Sequence, residues 1–292
     1  MSILLAVMDA GSLSAGARAL RMPLATVSRK VAELEKELGA ELVLRSARGL
    51  SPTDTGAAYL EATRRILEDV AEAESVASGE FSTPRGMLTL TAPIVFGRLH
   101  VLPVVVDFLK AHPDVDVRLE QTDRTVSLHE ENIDLAVRIG SLPDSSLIAR
   151  RLGAVRQVVC ASPNYLARNG TPEHPSDLSD HICITFGNLM SPRQWRFGEG
   201  RSQASVQIRS RLVVNTAESA IAAAEAGLGV TRILSYQIAN ALNEGRLVTI
   251  LEPFETDPWP VNFVYPPRGL VPQKLRAFLS FAVPRITGAL SR

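Results

Sequence analysis

The chain has 292 residues, 46% of them hydrophobic, with equal numbers of acidic and basic side chains and a formal net charge of zero. That length suits about two domains and allows full hydrophobic cores without disulfide or metal staples. No stretch approaches the ~18 consecutive apolar residues of a membrane span. The N-terminus lacks the basic, apolar and small-residue succession of a secretory leader. A cytoplasmic protein without a membrane partner is therefore expected.

Ser12–Leu38 is the first informative stretch. A short helix is predicted from about Ser14 to Leu20, with Ser12 and Ser14 both suited to cap it. Ala15, Ala17 and Ala19 are small enough for another helix to approach closely, and Leu20 and Met22 turn apolar surface inward. Pro23 stands at or beside the first position of a second helix, where its missing N–H costs nothing. Val27, Val31, Leu34 and Leu38 recur at helical spacing and share one face. Thr26, Ser28, Arg29 and Lys30 lie on the other face near the helix start. Their hydroxyls and cations suit phosphates and base edges. Two helices meeting at a tight turn have the layout of a helix-turn-helix, whose second helix enters the major groove of duplex DNA. A solvated helical hairpin fits the same residues, and the next segment separates the two readings. Glu41–Arg45 reads as a strand, Ser46–Gly49 as a basic turn and Leu50–Thr53 as the return. Such a hairpin after a recognition helix is a wing, and Arg48 at its tip suits the narrow minor groove. Residues 12–53 hold seven basic and four acidic side chains, a net of +3.

A long helix is predicted from about Asp54 to Ala77. Tyr59, Thr63, Ile66, Val70, Ala73 and Ala77 form a seam with alternating steps of four and three. A helix between two domains cannot bury such a seam alone, so a dimer or tetramer is expected. Burial against its own chain is the other option. Gly, Ser and Pro gather over 78–86, which marks a linker.

Beyond it, strands and helices alternate. Met87–Ala92 is a predicted strand and Phe96–Ala111 a helix with Leu99, Leu102, Val105, Val106 and Leu109 inward. Val115–Gln121 reads as a strand, Ser127–Glu131 as a short helix, and Ile133–Arg138 and Arg156–Ala161 as strands. Pro163–Asn169 is a helical turn, His181–Phe186 and Ser205–Val214 are strands, and Thr216–Ala226 is an Ala-rich helix closed by Gly227-Leu-Gly229. Strands at Val230–Ile233 and Val261–Tyr265 and a helix over Pro272–Phe281 complete the pattern. Alternating β and α predicts mostly parallel sheets covered by helices, an α/β fold. The only cysteines, Cys160 and Cys183, lack CxxC spacing and are expected to be reduced core residues.

With these segments in view, the chain resembles the LysR-type transcriptional regulators over nearly its whole length. Gly11–Leu20, Ala25–Gly39 and Leu50–Gly56 carry the resemblance at the N-terminus. Leu102–Phe108, His112–Val115, Asp134–Arg138 and Ala226–Val230 carry it downstream. It implies a winged helix-turn-helix over 1–53, a dimerisation helix and hinge over 54–85, and an effector domain over 86–292 similar to the type 2 periplasmic binding proteins. One lobe would take about 86–159 and 264–292, the other about 160–263. Ser28, Arg29 and Arg48 match family positions that face DNA, with Ser12, Ser14, Pro23, Thr26 and Lys30 beside them. Three departures stand out. Arg21 fills a turn position usually given to Gly, so a left-handed backbone there costs roughly 1 kcal/mol. Pro23-Leu-Ala25 replaces Ser-Gln-Pro, so a base-contacting Gln is absent. The first helix, over Ser2–Asp9, is expected to be short.

In the two-lobed fold small molecules bind between the lobes, at strand C-termini and helix N-termini. Pro93, Ile94, Val95 and Phe96 precede the first helix of one lobe. Asn215, Thr216 and Ala217 precede the Ala-rich helix of the other. Thr122, Asp123, Arg138 and Ile139 follow strands that should end at the cleft, and Phe186 and Trp195 suit its far side. Each residue also suits a plain capping or packing role. The histidines lack HExxH or CxxC companions, and Gly227-Leu-Gly229 ends a helix where a dinucleotide fingerprint would begin one. No cofactor, metal or catalytic residue is expected. The expected function is that of a sequence-specific DNA-binding regulator whose operator binding responds to a small molecule.

Overall fold

Two units make up the chain, Met1–Thr83 and Pro84–Arg292. The computed structural model describes residues 1–46, 49–78, 83–142, 146–186, 194–198, 204–267 and 270–291.

In the first unit, helices α1 (Ser2–Asp9), α2 (Leu13–Ala19) and α3 (Leu24–Leu38) precede the antiparallel hairpin β1 (Val43–Ser46) and β2 (Gly49–Pro52), and α4 (Asp54–Ser78) follows. Leu4, Val31, Leu42, Val43 and Leu60 form one core cluster, and Val7, Ala17 and Val27 another. Close approach of α1 and α2 rests on Gly16 and Ala17 rather than on Ala15 and Ala19. A Cβ added at Gly16 would stand 2.7 Å from the Cα of Val7. Leu38 is exposed, because α3 ends beside it at Gly39, whose φ of 63° closes the helix. The α4 seam divides. Tyr59 packs on the first core cluster and Thr63 is fully buried, whereas Ile66 and Val70 are 45% and 48% exposed. Hairpin and α1 cover only the start of α4, which leaves its later apolar residues open within this unit. The side chains of Ala73 and Ala77 lie outside the description.

The second unit holds two mixed five-stranded sheets. The first contains β3 (Gly86–Ala92), β4 (Val115–Gln121), β5 (Leu135–Ile139), β6 (Ile148–Val155) and β14 (Trp259–Tyr265), in the order β4-β3-β5-β14-β6. The second contains β7 (Gln157–Ala161), β8 (Ile182–Phe186), β11 (Arg209–Val214), β12 (Val230–Leu234) and β13 (Val248–Ile250), in the order β11-β8-β12-β7-β13. Strand β3 pairs parallel with β4 and β5, but β14 is antiparallel to both its neighbours. Strand β8 likewise pairs parallel with β11 and β12, whereas β7 is antiparallel to β12 and β13. The mostly parallel expectation thus holds for half of each sheet. The antiparallel half arises where β6 passes through Arg156 straight into β7 and where β14 returns. Divisions at 159/160 and 263/264 would cut β7 and β14, so the crossovers lie at Arg156 and just before Trp259.

Helices cover the sheets. A continuous helical stretch joins α5 (Ile94–Phe96), a π turn (Gly97–Val101) and α6 (Leu102–Ala111). The wider π turn resets the helix phase. Phe96, Val101, Val104, Val105 and Phe108 therefore point inward, and Leu99, Leu102 and Val106 are exposed. Leu109 is partly buried against the core as expected. His112 packs on Phe108, with ring centroids 4.4 Å apart. Ser127–Glu131 forms turns instead of a helix, with the Glu131 N–H reaching the Ser127 carbonyl at 3.0 Å. The predicted strand Ser205–Val214 is two strands in different sheets. Its first part, β10 (Ala204–Gln207), pairs with β9 (Gln194–Phe197) in a separate ribbon, and Ile208 separates it from β11. Helices α7 (Pro163–Asn169), α8 (Ala217–Glu225) and α9 (Ala239–Asn243) flank the second sheet. The last helix, α10 (Gln273–Leu290), runs well past Phe281 and keeps Pro284 inside it.

Cys160 and Cys183 are free and buried, on two different core clusters of the second sheet. Burial pushes both thiols up to about 12, so the inert thiol form dominates near neutrality. Among the described residues no helix is long and apolar enough to cross a membrane.

Candidate functional site

Helix α2 starts at Ser12, whose hydroxyl accepts the Ala15 N–H at 3.1 Å. Ser14 sits within that turn, its hydroxyl 3.3 Å from that of Ser12. The turn to α3 closes through Met22 N–H to Ala17 carbonyl at 2.9 Å, with Arg21 at φ 52°. The strain foreseen for a non-glycine residue is present. Pro23 is the N-cap of α3, in extended conformation and with no side-chain cap, so no side chain pairs the first-turn N–H groups, and that of Thr26 reaches the Pro23 carbonyl at 3.0 Å. A partial positive charge results there.

Around that helix start, Leu24 (50% exposed), Arg29 and Lys30 are exposed, and Thr26 and Ser28 are half-buried. Glu33 ties down both cations, at 3.7 Å to Arg29 and 2.9 Å to Lys30. The hydrogen bond from Lys30 is the main cause that lowers the Glu33 carboxyl below its ordinary range. Such exposed pairs contribute little to stability, so phosphates can displace Glu33 readily. Arg48 lies outside the described residues. Glu35, on the same helix, accepts the N–H groups of Leu42 and Val43 at 2.8 and 3.1 Å and so fixes the wing to α3.

A cavity of about 610 Å³ lies in the second unit, lined from both sheets. The first sheet and its loops contribute Pro93, Thr122, Asp123, Arg138, Ile139 and Trp259, and the second contributes Phe186, Arg232, Tyr236 and Gln237, with Trp195 from the ribbon. Of the residues expected at the cleft, Pro93, Thr122, Asp123, Arg138, Ile139, Phe186 and Trp195 are brought together there. The others are not. Val95 and Phe96 are buried, Phe96 within the first lobe's core, because the helix begins two residues earlier than foreseen, at Ile94. Ile94 gives its N–H to Asp123 at 3.1 Å. Asn215 does not reach the cavity, the Thr216 hydroxyl caps α8 by accepting the Ser219 N–H at 3.2 Å, and Ala217 is buried beneath that helix.

Burial sets the electrostatics. It raises Asp123 above its ordinary range, opposed by the Ile94 N–H and helped by the nearby Glu218 charge. It lowers Arg138, which donates to the Val126 carbonyl at 2.5 Å. It pulls Arg232 down to about 10, with Glu255 opposing. Tyr236 sits beside Gln237 but makes no well-aligned hydrogen bond, and burial pushes its hydroxyl up. Its ring meets Phe96 and His100 of the other lobe at centroid distances of 5.4 and 5.5 Å. Arg98 and Glu218 add an ion pair between the lobes at 2.9 Å.

The geometry combines a cation-bearing helix start without a side-chain cap, beside a wing, with a cavity between two lobes. Residues 1–57 match the family model of the bacterial regulatory helix-turn-helix protein, lysR family, and residues 82–286 match that of the LysR substrate binding domain. The chain is a LysR-type transcriptional regulator. An HTH-type transcriptional repressor of Pseudomonas aeruginosa is 33% identical over 285 residues, covering 97% of this regulator and 90% of that protein. CrgA, a LysR-type transcriptional regulator from Neisseria meningitidis, is 31% identical in a structure covering 98% of this regulator and 97% of CrgA, with a TM-score of 0.63. The full-length Vibrio cholerae virulence activator AphB is 25% identical and covers 97% of each chain, with a TM-score of 0.61. The regulator thus pairs an N-terminal DNA-binding helix-turn-helix with an effector-binding domain, and effector-modulated DNA binding is the property of its family.

Sequence reasoning passed over Arg232, Tyr236, Gln237 and Trp259. One signal was available, a lone arginine inside the otherwise apolar run Val230-Thr-Arg-Ile-Leu234. Among the described residues no cluster of three or more His, Cys, Asp or Glu could hold a metal.

Proposed function

We propose that the start of α3 reads duplex DNA and that a small molecule in the cavity between the two sheets governs how paired subunits hold two operator half-sites. The observation that carries this is the cavity itself, about 610 Å³ and built from both lobes, so that its occupant contacts both. That volume suits a small organic ligand. Arg29 and Lys30 engage phosphates, Thr26 and Ser28 lie nearer bases, and Arg48 serves the wing. Ser12, Ser14 and Pro23 set the two helices and their exposed N–H groups against the backbone. Pro93, Thr122, Asp123, Arg138, Ile139, Phe186 and Trp195 surround the effector. Subunits associate through the open stripe of α4, as a dimer or a tetramer. The protein works by binding rather than catalysis, and it does so in the cytoplasm, where the duplex is. A ligand shifts the assembly only by its differential affinity for the two arrangements.

A salt-titrated binding assay on DNA upstream of its own gene, with random duplex as competitor, tests this reading. Competitor-resistant binding with a steep salt dependence is expected, and Arg29→Ala should lower the slope by about one. Binding no tighter than to random duplex on every upstream fragment would sink the operator reading.

A further inference from the structure

We propose that Leu24 reads the C5 methyl group of a thymine in the operator half-site; this rests on the reading of α3 as the helix that enters the major groove. Leu24 opens α3 and is 50% exposed. It continues the apolar row of that helix, three residues before Val27 and seven before Val31, which are 0% and 3% exposed. The row therefore runs off the core at the helix start. Neither core cluster of the first unit includes Leu24. The turn is nonetheless fixed, because the Thr26 and Val27 N–H groups bond the Pro23 carbonyl at 3.0 and 3.1 Å and the buried Val27 sets the helix phase. Leu24 and the half-buried Ser28 are surface neighbours four residues apart, and so are the exposed Ala25 and Arg29. The projecting turn thus carries apolar carbon ahead of a hydroxyl and a cation.

Charge names what covers this apolar turn. Arg29 and Lys30 follow on the same short stretch, both exposed and both held only by the exposed pairs to Glu33, and residues 12–53 carry a net of +3. That surface fits a polyanion, and the segment belongs to a helix-turn-helix family. In the major groove the base edges present hydrogen-bond donors and acceptors, and the thymine C5 methyl is the apolar feature among them. A leucine has nothing to offer a donor or an acceptor, and pressing it on a polar edge strips water from that edge without replacing the bond. Against a methyl group it gains by burial. The Pro23-Leu-Ala25 stretch holds no side-chain hydrogen-bonding group, so the leading turn discriminates by apolar contact alone. Phosphate contacts from the cations fix the register in which Leu24 makes that contact.

The test begins with duplexes selected by the full chain from a randomised library. Thymines of one enriched half-site are then replaced singly by deoxyuridine, which lacks only the C5 methyl, and binding is read by fluorescence anisotropy. At one position the loss of the methyl should weaken binding to the native chain about 4-fold, the worth of one buried methyl group. The ratio should hold from about 50 to 200 mM salt while both affinities fall, because the contact releases no counterion. Cytosine at that position should bind weakly, and 5-methylcytosine should regain about 4-fold. Leu24→Ala, which leaves both core clusters intact and should keep the native circular dichroism, should lose both methyl effects. Arg29→Ala should keep them while its salt slope falls by about one. Indifference of the native chain to every thymine methyl would overturn the proposal and leave DNA reading by α3 standing; this arm needs no variant. A methyl effect that persists in Leu24→Ala would overturn the role of Leu24. Enrichment of no sequence would overturn the reading of α3 and the proposal with it.

Discussion

Gly56→Ala tests whether the winged unit depends on one close approach. The Thr53 hydroxyl accepts the Gly56 N–H at 2.9 Å and donates to the Glu41 carbonyl at 2.8 Å, which draws the start of α4 down onto the strand leading into the wing. An added Cβ would stand 1.9 Å from the Leu42 carbonyl oxygen, 2.8 Å from its carbon and 3.1 Å from its Cα. Ordinary C···O contact begins near 3.3 Å, so backbone must move by more than 1 Å. The same carbonyl accepts the Thr53 N–H at 3.1 Å, and the Leu42 side chain is buried in the core. Overpacking costs about 1–3 kcal/mol and the lost hydrogen bond about 1, offset by about 1 for alanine in a helix. The net is about 1–3 kcal/mol, or roughly 5–20 °C in the melting temperature of a unit this small. Gly39→Ala is the comparison. Its φ is 63° with nothing within 4 Å of an added Cβ, so only about 1 kcal/mol of strain applies. Both tryptophans, Trp195 and Trp259, belong to the second unit, so their fluorescence follows that unit alone. Helical circular dichroism of Gly56→Ala should fall early and operator binding should vanish, with the fluorescence transition unmoved. A melting temperature within about 2 °C of the native chain, or a smaller loss than in Gly39→Ala, would refute the close-approach argument.

Arg232→Met removes a buried cation with unmade hydrogen bonds and should stabilise the ligand-free protein by about 1 kcal/mol in denaturant unfolding. A loss above about 2 kcal/mol would make the arginine a structural element held by Phe197 and Glu255. His100 is half-buried between Phe96 and Tyr236, its Nε2 is buried and unpartnered, and burial lowers its pKa from the ordinary 6.5. The unfolded chain therefore takes up the proton first, and His100 withdraws stability as pH falls from 6.5 toward its lower native value. His100→Phe should flatten that part of the stability profile, and an unchanged slope would refute the assignment. Replacing Ile66 and Val70 together by Glu should lower the mass measured by sedimentation at fixed protein concentration. An unchanged mass would move the self-association surface elsewhere.

Much of the architecture was legible because strong local rules agree with tertiary structure. The Pro23 start, the Gly39 stop and the Val27 and Val31 face define α3 without help from the rest of the fold. What escaped depended on partners distant in sequence. Strand β6 exposes four consecutive residues at a sheet edge, so no alternation betrays it. The π turn at Gly97–Val101 shifts the helix phase without a sequence mark, and the inward residues were misjudged accordingly. Cavity residues named from strand ends were mostly brought together, because strand ends are set by topology. Those named from helix starts mostly were not. Thr216 and the Ile94 N–H already have partners, and a satisfied cap looks in sequence just like a free one. Arg232 was missed for the opposite reason, since only the three-dimensional structure reveals that it lacks partners.

Among the described residues, the ion pair and the ring contacts between the lobes are each modest in strength. The Arg98–Glu218 pair is about half exposed on both sides and is worth no more than about 1 kcal/mol. The Phe96, His100 and Tyr236 cluster adds edge contacts of about 0.5–1.5 kcal/mol each. Turning a two-state equilibrium fully over needs roughly 5.5 kcal/mol of differential affinity. A charge-assisted hydrogen bond supplies about 1.5–3 kcal/mol, and burying a ring of about 100–150 Å² supplies roughly 2.5–4 kcal/mol. A ligand that joins a charge-assisted hydrogen bond in one lobe to a ring buried against Trp259 in the other reaches the required size only when both lobes close on it. A ligand held by one lobe alone gains affinity in both arrangements and shifts neither.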